Sequence, residues 1–146
     1  MNVKIIKADL QDLQLLYDIQ IESFKPLLEK YQDYDTSPGN ESIEQIIRRY
    51  NQSFTTYWLI KNHEKMVGGV RVIIGENGRY RVSPIFILPS EQGKEITQEA
   101  FRLLEEFYQD SKLWELDTIL EEAGNCYLYE KLGYKKTGRL EKLKMA

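Results

Sequence analysis

The sequence predicts an α+β (mixed α/β) fold in which a mostly antiparallel central sheet is flanked by helices. Three strand-like segments follow one another through two short turns, which predicts a meander of neighbouring antiparallel strands. The third strand ends at Pro89, and a long amphipathic helix begins a few residues later. At 146 residues, without a repeat or a linker, the chain has the length of one domain, and we assign residues 1–146 to it.

The first part of the chain predicts one strand and two helices. Residues 3–7 form the strand, and Asp9 stands where it can cap a helix with an apolar face of Leu10, Leu13, Leu16, Tyr17 and Ile21. Residues 22–26 interrupt this pattern, and the aromatic, acidic segment that follows is predicted as a loop or short helix. Asn40 or Ser42 can cap a second helix, whose apolar face is Ile43, Ile46, Ile47 and Tyr50.

The meander comprises residues 55–60, 66–74 and 79–88. The turn Glu76-Asn77-Gly78 is of the Asn-Gly type that favours a tight hairpin. Pro84 inside the third strand predicts a bulge or a local break in the pairing. His63 lies in the first turn, where we expect it to be exposed and without a role.

The carboxyl-terminal part predicts a helix, a strand, a short helix and a last strand. The long helix places its apolar residues at helical spacing, at Ile96, Ala100, Leu103, Leu104 and Phe107. Beyond it, apolar residues alternate with Glu115 and Asp117, which predicts a half-buried strand over residues 114–120. Residues 124–134 predict a short helix closed by glycine, and residues 135–145 a final strand with an irregularity at 137–138.

Composition and charge exclude several classes of function. With 20 basic and 23 acidic residues and no long basic run, the chain lacks the usual charge pattern of a nucleic-acid-binding protein. His63 and Cys126 are single residues of their kinds, and they cannot supply the usual zinc ligands, so no metal site is expected. One cysteine cannot form an internal disulfide, and no apolar run is long enough to span a bilayer. We therefore expect a cytoplasmic protein without a membrane segment.

The junction between the third strand of the meander and the long helix is suited to phosphate. It is polar and contains Gly93, and a helix amino terminus presents unpaired N–H groups at the positive end of its dipole. Its pattern Pro-x-x-Gln-Gly-Lys-x-Ile resembles the acyl-CoA loop of the GNAT-superfamily N-acetyltransferases, whose usual form is Arg or Gln, two residues, Gly, one residue, then Gly or Ala. Gln92 fits this form, whereas Glu95 and Thr97 stand where the small residues are usual. Glycine at such points lets the backbone approach a pyrophosphate.

A second segment carries the same resemblance. Leu128-Tyr129-Glu130-Lys131-Leu132-Gly133-Tyr134 resembles the Leu-Tyr-Glu-x-Leu-Gly-Phe/Tyr segment late in many GNAT enzymes. One helix and one strand separate it from the loop, as the order of elements in that family requires. The resemblance extends over nearly the whole chain, and it implies the GNAT-like acyl-CoA N-acyltransferase fold, with a central sheet that splays near the loop.

The resemblance also implies a reaction and its residues. The enzyme would transfer an acetyl group directly from acetyl-CoA to a primary amine of a small molecule or peptide, as a monomer or homodimer. The backbone of Ile85, Phe86 and Ile87 would pair with the pantetheine amides. Tyr129, a phenol still protonated at neutral pH, would give a hydrogen bond or proton to the departing thiolate. The pyrophosphate would be held by Gln92, Gly93, Lys94, Glu95, Ile96 and Thr97.

Several roles have alternatives at this stage. Asn125 either touches the cofactor or caps its helix, because Glu122 stands at the position where the family usually has asparagine. Asp117 and Glu22 are the candidate general bases, and each can instead be an ordinary surface carboxylate. The segment with Tyr31, Asp33, Tyr34 and Asp35 either lines a site for a cationic amine or is a solvated loop.

A different class of function is also open. In it, the chain is a catalytically degenerate GNAT-like module that binds a CoA thioester or a protein partner as a sensor. Glu95 and Thr97 favour this alternative, whereas the preserved run around Tyr129 argues against it. A third hypothesis is another phosphate-bearing ligand on the same loop.

Overall fold

The computed structural model describes residues 2–32, 38–116, 133, 135–136 and 140–143. Within them, one sheet of seven strands has the order β1-β2-β3-β4-β5-β7-β6, and the β4–β5 pair is parallel while the other neighbours are antiparallel. The mostly antiparallel α+β fold is therefore confirmed. The strands are β1 Val3–Lys7, β2 Thr55–Asn62, β3 Lys65–Ile74, β4 Arg79–Ile87, β5 Leu113–Leu116, β6 Lys135–Lys136 and β7 Leu140–Leu143.

The first helix is longer than predicted. Helix α1 spans Leu13–Tyr31 and contains Pro26, so the predicted interruption at residues 22–26 is wrong, and Glu22 lies inside the helix rather than at its end. A proline removes one helical hydrogen bond, and the burial of Leu13, Leu16 and Ile19 supplies the packing that holds the helix despite this loss.

Helix α2 confirms the predicted start, and α3 begins where predicted. Helix α2 spans Ile43–Tyr50, and the N–H of Gln45 donates to Ser42 Oγ over 3.3 Å while the N–H of Ser42 donates to Gln45 Oε1 over 2.9 Å. Helix α3 spans Ile96–Phe107. In the described part of the chain, no helix combines the length and apolar character that a bilayer crossing requires.

The sheet separates two apolar layers. On one face, α1 and α2 pack through Leu13, Leu16, Ile19 and Ile46 against Tyr57, Leu59, Phe86 and Leu88. On the other face, α3 packs through Ile96, Ala100, Phe101 and Leu104 against Trp58, Val70, Val72 and Trp114. The two faces therefore offer separate surroundings to ligands that approach β4 from opposite sides.

The hairpin of β3 and β4 contains both irregularities that the sequence predicts. Asn77 and Gly78 have φ of 58° and 76°, as a tight Asn-Gly turn requires. Val72 pairs with Val82 and Val70 pairs with Ile85, so two residues of β4 lie opposite one residue of β3 in a bulge. These two residues are Ser83 and Pro84, which are joined by a cis peptide bond.

The carboxyl-terminal region corrects two predictions. Glu115 is only 9% exposed, and its Oε1 lies 2.8 Å from Arg79 Nη2, so this carboxylate is not on a solvated face of β5. The predicted last strand is two short strands, β6 and β7, which pair with each other, and β7 also pairs with β5. The predicted helix over residues 124–134 lies outside the described residues except for Gly133, whose φ of 98° suits the predicted helix-closing glycine.

Candidate active site

The carboxyl-terminal half of β4 extends beyond its described partner on one side. Its described pairing with β5 reaches Val82↔Leu116, the last described residue of β5, whereas its pairing with β3 continues to Ile87↔Gly68. The N–H of Leu88 donates to Val67 O over 2.8 Å, and strand alternation then turns the peptide groups of Ile85 and Ile87 away from β3. Such groups can pair with an extended ligand in the manner of an added strand.

Two glycines of β3 allow this part of β4 to pack closely against it. A Cβ on Gly69 would lie 2.6 Å from Phe86 Cζ and 2.6 Å from Leu16 Cδ1, because the phenyl ring fills the space over the glycine. A Cβ on Gly68 would lie 2.2 Å from Phe86 O. Phe86 is thereby fixed between α1 and the sheet, so its neighbours Ile85 and Ile87 have a rigid support.

The loop after β4 folds back onto the end of the strand. Gln92 Nε2 donates a hydrogen bond of 3.1 Å to Ile87 O, a carbonyl turned away from β3. Lys94 Nζ and Lys65 Nζ lie 3.4 Å and 3.6 Å from the same oxygen, Glu91 Oε2. The two ammonium groups outnumber the carboxylate that they share, and the carboxylate of Glu95 in the same loop balances the remaining charge.

Gly93 and Glu95 give the loop its backbone shape. Gly93 has φ of 80°, and a Cβ there would meet nothing within 4 Å, so its glycine serves conformation rather than space. Glu95 precedes α3 at φ 60° and ψ 17°, in the left-handed region, and its side chain makes no capping hydrogen bond. The sequence favours a small residue at position 95 because the backbone there would approach a phosphate. The left-handed backbone of Glu95 is a second, conformational reason for glycine at this position.

The amino terminus of α3 has N–H groups to offer. The first helical hydrogen bond runs from the N–H of Glu99 to Glu95 O over 3.2 Å. The N–H groups of Ile96 and Thr97 precede this bond, and they receive no cap from the side chain of Glu95. Donors of this kind at the positive end of a twelve-residue helix suit an anion.

The remaining predicted residues are not brought into this site by the described structure. Asp117, Glu122, Asn125 and Tyr129 lie outside the described residues, as do Asp33, Tyr34 and Asp35. Glu22 and Tyr31 are exposed on α1. His63 is exposed in the β2–β3 turn at φ 54°, where its backbone N–H donates to Asn2 O over 2.9 Å.

Sequence reasoning missed a polar cluster on the face covered by α1 and α2. Tyr57 and Arg71 lie directly opposite each other on β2 and β3. Arg71 Nε donates to Thr55 Oγ1 and its Nη1 donates to Ser83 O, both over 3.1 Å. Because Val70 and Val72 face α3, strand alternation alone could have placed Arg71 on this opposite face.

Burial shifts the pKa values of both members of this pair. It raises the pKa of the Tyr57 hydroxyl, and the Arg71 guanidinium opposes that effect. It lowers the pKa of Arg71, and Tyr57 opposes that effect in turn. The phenol is therefore held protonated, and the guanidinium is a partly desolvated cation.

Comparison with known proteins identifies a family and a shared fold. The model of the acetyltransferase (GNAT) family matches residues 13–134. The fold is similar to that of PaiA N-acetyltransferase from Thermoplasma acidophilum in complex with coenzyme A, with a TM-score of 0.76, 16% identity, and coverage of 99% of this chain and 100% of that one. A comparison with curated protein sequences finds no significant match.

Two further solved structures share the fold. Spermidine N-acetyltransferase from Vibrio cholerae, in complex with CoA and spermine, has a TM-score of 0.76 at 15% identity, with 97% of this chain and 95% of that chain covered. The ribosomal-protein-S18-alanine N-acetyltransferase from Escherichia coli has a TM-score of 0.75 at 13% identity, with 99% and 96% covered. At these identities the similarity establishes the fold.

Proposed function

The chain belongs to the acetyltransferase (GNAT) family, whose members use acetyl-CoA, and we propose from this premise that it transfers acetyl groups from acetyl-CoA to a primary amine. The amine belongs to a small molecule or a peptide, and the transfer is direct, without a covalent enzyme intermediate. The observation that carries the proposal is the outward-facing backbone of Ile85 and Ile87 beside the loop that Gln92 ties to the same strand.

The described residues fit the chemistry of a nucleotide-linked thioester. The peptide groups of Ile85 and Ile87 can pair with its amide groups, and the N–H groups at the start of α3 can receive its phosphates. Lys65 and Lys94 place two ammonium groups beside this position. When bound, acetyl-CoA supplies an acetyl group already activated as a thioester, so the protein has only to position it and move protons.

Proton movements are assigned to residues that the resemblance marks. The amine must lose a proton before it attacks, and the thiolate must gain a proton or hydrogen bond when it leaves. We assign the second task to Tyr129. Asp117 is retained as the candidate base because the resemblance implies a catalytic carboxylate at this position in some members of the family. Glu22 receives no support, since it is exposed within α1.

The proposal also includes Asn125 as a residue that contacts the cofactor. It places the protein in a reducing, cytoplasmic setting, as the lone Cys126 leads us to expect. The acceptor classes to test first are those named for proteins of the same fold, namely the polyamine spermidine and an alanine of ribosomal protein S18. The sensor alternative retains the support of Glu95, whose carboxylate adds negative charge where phosphates would lie.

Thermal unfolding with acetyl-CoA and with CoA tests the first step. A ligand that binds only the native state at 100 times its Kd adds about 2.7 kcal/mol to the free energy of unfolding. We therefore expect a rise in Tm of several degrees with either ligand. An unchanged Tm near millimolar acetyl-CoA would refute cofactor binding, whereas a rise in Tm without acetylation of any amine would favour the sensor alternative.

Tyr129→Phe tests the assigned proton donor, with Tyr127→Phe as a matched control in the same segment. Because general acid catalysis contributes about 10²- to 10⁴-fold, we expect a loss of kcat of that order for Tyr129→Phe and near-normal kcat for the control. The Kd for acetyl-CoA should stay nearly unchanged in both. Equal kcat in the two variants would remove Tyr129 from the mechanism.

A further inference from the structure

We propose that the acceptor amine carries a carboxylate, which Arg71 and Arg49 bind on the sheet face covered by α1 and α2. This inference rests on the proposed function and names the acceptor class of the same site. It depends on three observations: an arginine without a carboxylate partner in the described chain, two further guanidiniums near it, and buried polar atoms that lack partners.

Arg71 is a half-buried cation with neutral partners. Its hydrogen bonds go to Thr55 Oγ1 and Ser83 O, and no described carboxylate lies within salt-bridge distance of it. A guanidinium has five N–H donors in a planar fork, and two donor nitrogens are used here. A partly desolvated cation is normally paired with an anion, so Arg71 has both the donors and the charge to bind one.

Among the residues that the structure describes, two further guanidiniums lie near Arg71. Arg49 and Arg81 both lie close enough to lower its pKa, whereas Glu41 acts in the opposite direction. Glu41 is itself in contact with Arg49, through Oε2 and Nη1. Among the described residues, Glu41 is thus the carboxylate that acts on both Arg49 and Arg71, whereas Arg81 lies opposite Glu115 of β5. A cluster of guanidiniums attracts an anion and repels a polycation.

The same network contains buried polar atoms without partners in the described part of the chain. Tyr57 is 1% exposed and lies near Arg49 and Arg71, which are donors, and no described group accepts the hydrogen of its hydroxyl. Gln20 is fully buried and donates to Glu41 Oε1 over 3.3 Å, but its own Oε1 accepts no hydrogen bond. A carboxylate on Arg71 would give the Tyr57 hydroxyl an acceptor.

The cluster lies beside the strand that is proposed to bind the thioester. Arg71 lies opposite the bulge, and Ser83, which it binds, is two residues before Ile85. Arg71 faces α1 and α2, while α3 packs on the other face. An acceptor anchored at Arg71 and a thioester lying along β4 would thus approach the same strand from different sides.

The test is a panel of matched amines with acetyl-CoA. It contains the standard amino acids, their carboxamides, dipeptides and the polyamines spermidine and spermine. We expect the best acceptor to be an acid, with kcat/KM at least about 10-fold above that of its carboxamide, since a charge-assisted pair is lost in the amide. A best acceptor without a carboxylate, or equal kcat/KM for the acid and its amide, would overturn the inference.

Single substitutions test whether Arg71 and Tyr57 bind the carboxylate of the acceptor. Arg71→Gln should raise KM for the acid about 10-fold or more, leave KM for the amide nearly unchanged, and preserve the Tm rise with acetyl-CoA. Tyr57→Phe keeps the ring packing and should raise KM for the acid by a smaller factor, which keeps the test decisive if Arg71→Gln fails to fold. Arg102→Gln is the control, because Arg102 is exposed on α3 and pairs with Glu99 and Glu106.

The outcomes separate this inference from the proposed function. Acetylation of polyamines or amides alone would end the carboxylate inference and leave the proposed function intact. Acetylation of acids that Arg71→Gln does not weaken would also count against it. Absence of any acetylated amine, together with an unchanged Tm in acetyl-CoA, would remove both.

Discussion

Replacing Glu95 by glycine should tighten acetyl-CoA binding with little change in stability. Glu95 has φ of 60° and is exposed, and its carboxylate lies in the loop proposed to hold phosphates. A residue with a Cβ in this left-handed region loses about 1–2 kcal/mol, which glycine would regain. Glycine also gives the unfolded chain more freedom, worth about 0.4–1 kcal/mol in the opposite direction. The two effects oppose each other, so the expected gain in unfolding free energy lies between about 0 and about 1.6 kcal/mol.

Loss of the Glu95 carboxylate should affect acetyl-CoA binding more than it affects stability. Because Glu95 is exposed, the appropriate dielectric constant is that of water, where two unit charges at about 4 Å interact by about 1 kcal/mol. Removing a carboxylate next to one or two phosphate charges therefore strengthens binding by about 1–2 kcal/mol, or about 5- to 30-fold in Kd. Added salt should shrink this difference, since exposed charges are screened.

Isothermal titration with acetyl-CoA at low and high salt measures this change. Glu95→Gln removes the charge and keeps the strained backbone, so it separates the two effects. Glu106→Gln, at the other end of α3, is the matched control for loss of one acidic charge. If Glu95→Gly binds no tighter than the wild type at low salt, position 95 does not adjoin the phosphates and the reasoning about this loop is wrong.

Two further predictions concern stability. Gly69→Ala would place a Cβ 2.6 Å from Phe86 Cζ, and overpacking of this kind should lower the unfolding free energy by about 1–3 kcal/mol in urea; an unchanged value would show that the ring does not cover Gly69. Burial and the hydrogen bond to Asp110 raise the pKa of Tyr80 to about 12 from 10.0, so its stabilisation is complete below pH 10 and is lost as pH rises toward 12. The free energy of unfolding should therefore fall less steeply with pH in Tyr80→Phe than in the wild type between pH 10 and 12. An identical slope in the two proteins would contradict the raised pKa of Tyr80.

The sequence predicts well the features that local chemistry determines. The Asn77-Gly78 turn, the bulge at Pro84 and the Ser42 cap each depend on a few neighbouring residues, and the structure confirms all three. The course of α1 through Pro26 could not be predicted in this way, because the packing of its buried face against the sheet decides it. Burial of Glu115 likewise depends on Arg79, which is distant in the chain.

In the candidate site, too, local sequence predicts some features and tertiary packing determines the others. The motif predicts that Gln92 and Gly93 belong to a binding loop. The hydrogen bond of Gln92 to Ile87 O and the left-handed backbone of Glu95 depend on the tertiary structure, and the motif does not predict them. Strand alternation can place Arg71 on the face opposite Val70 and Val72, but the groups around it come from three strands and two helices, so the cluster itself follows only from the tertiary structure. Tyr129 stays a prediction from resemblance.

The extra residue in β4 reverses which way every later side chain of the strand points. Before the bulge, Tyr80 and Val82 face α3, yet after it the even-numbered Phe86 faces α1. An uninterrupted strand would send the Phe86 ring to the α3 side and leave Gly69 uncovered. Deleting Ser83 should therefore invert the orientation of the whole carboxyl-terminal half of β4, exchanging the residues that fill the core on its two sides.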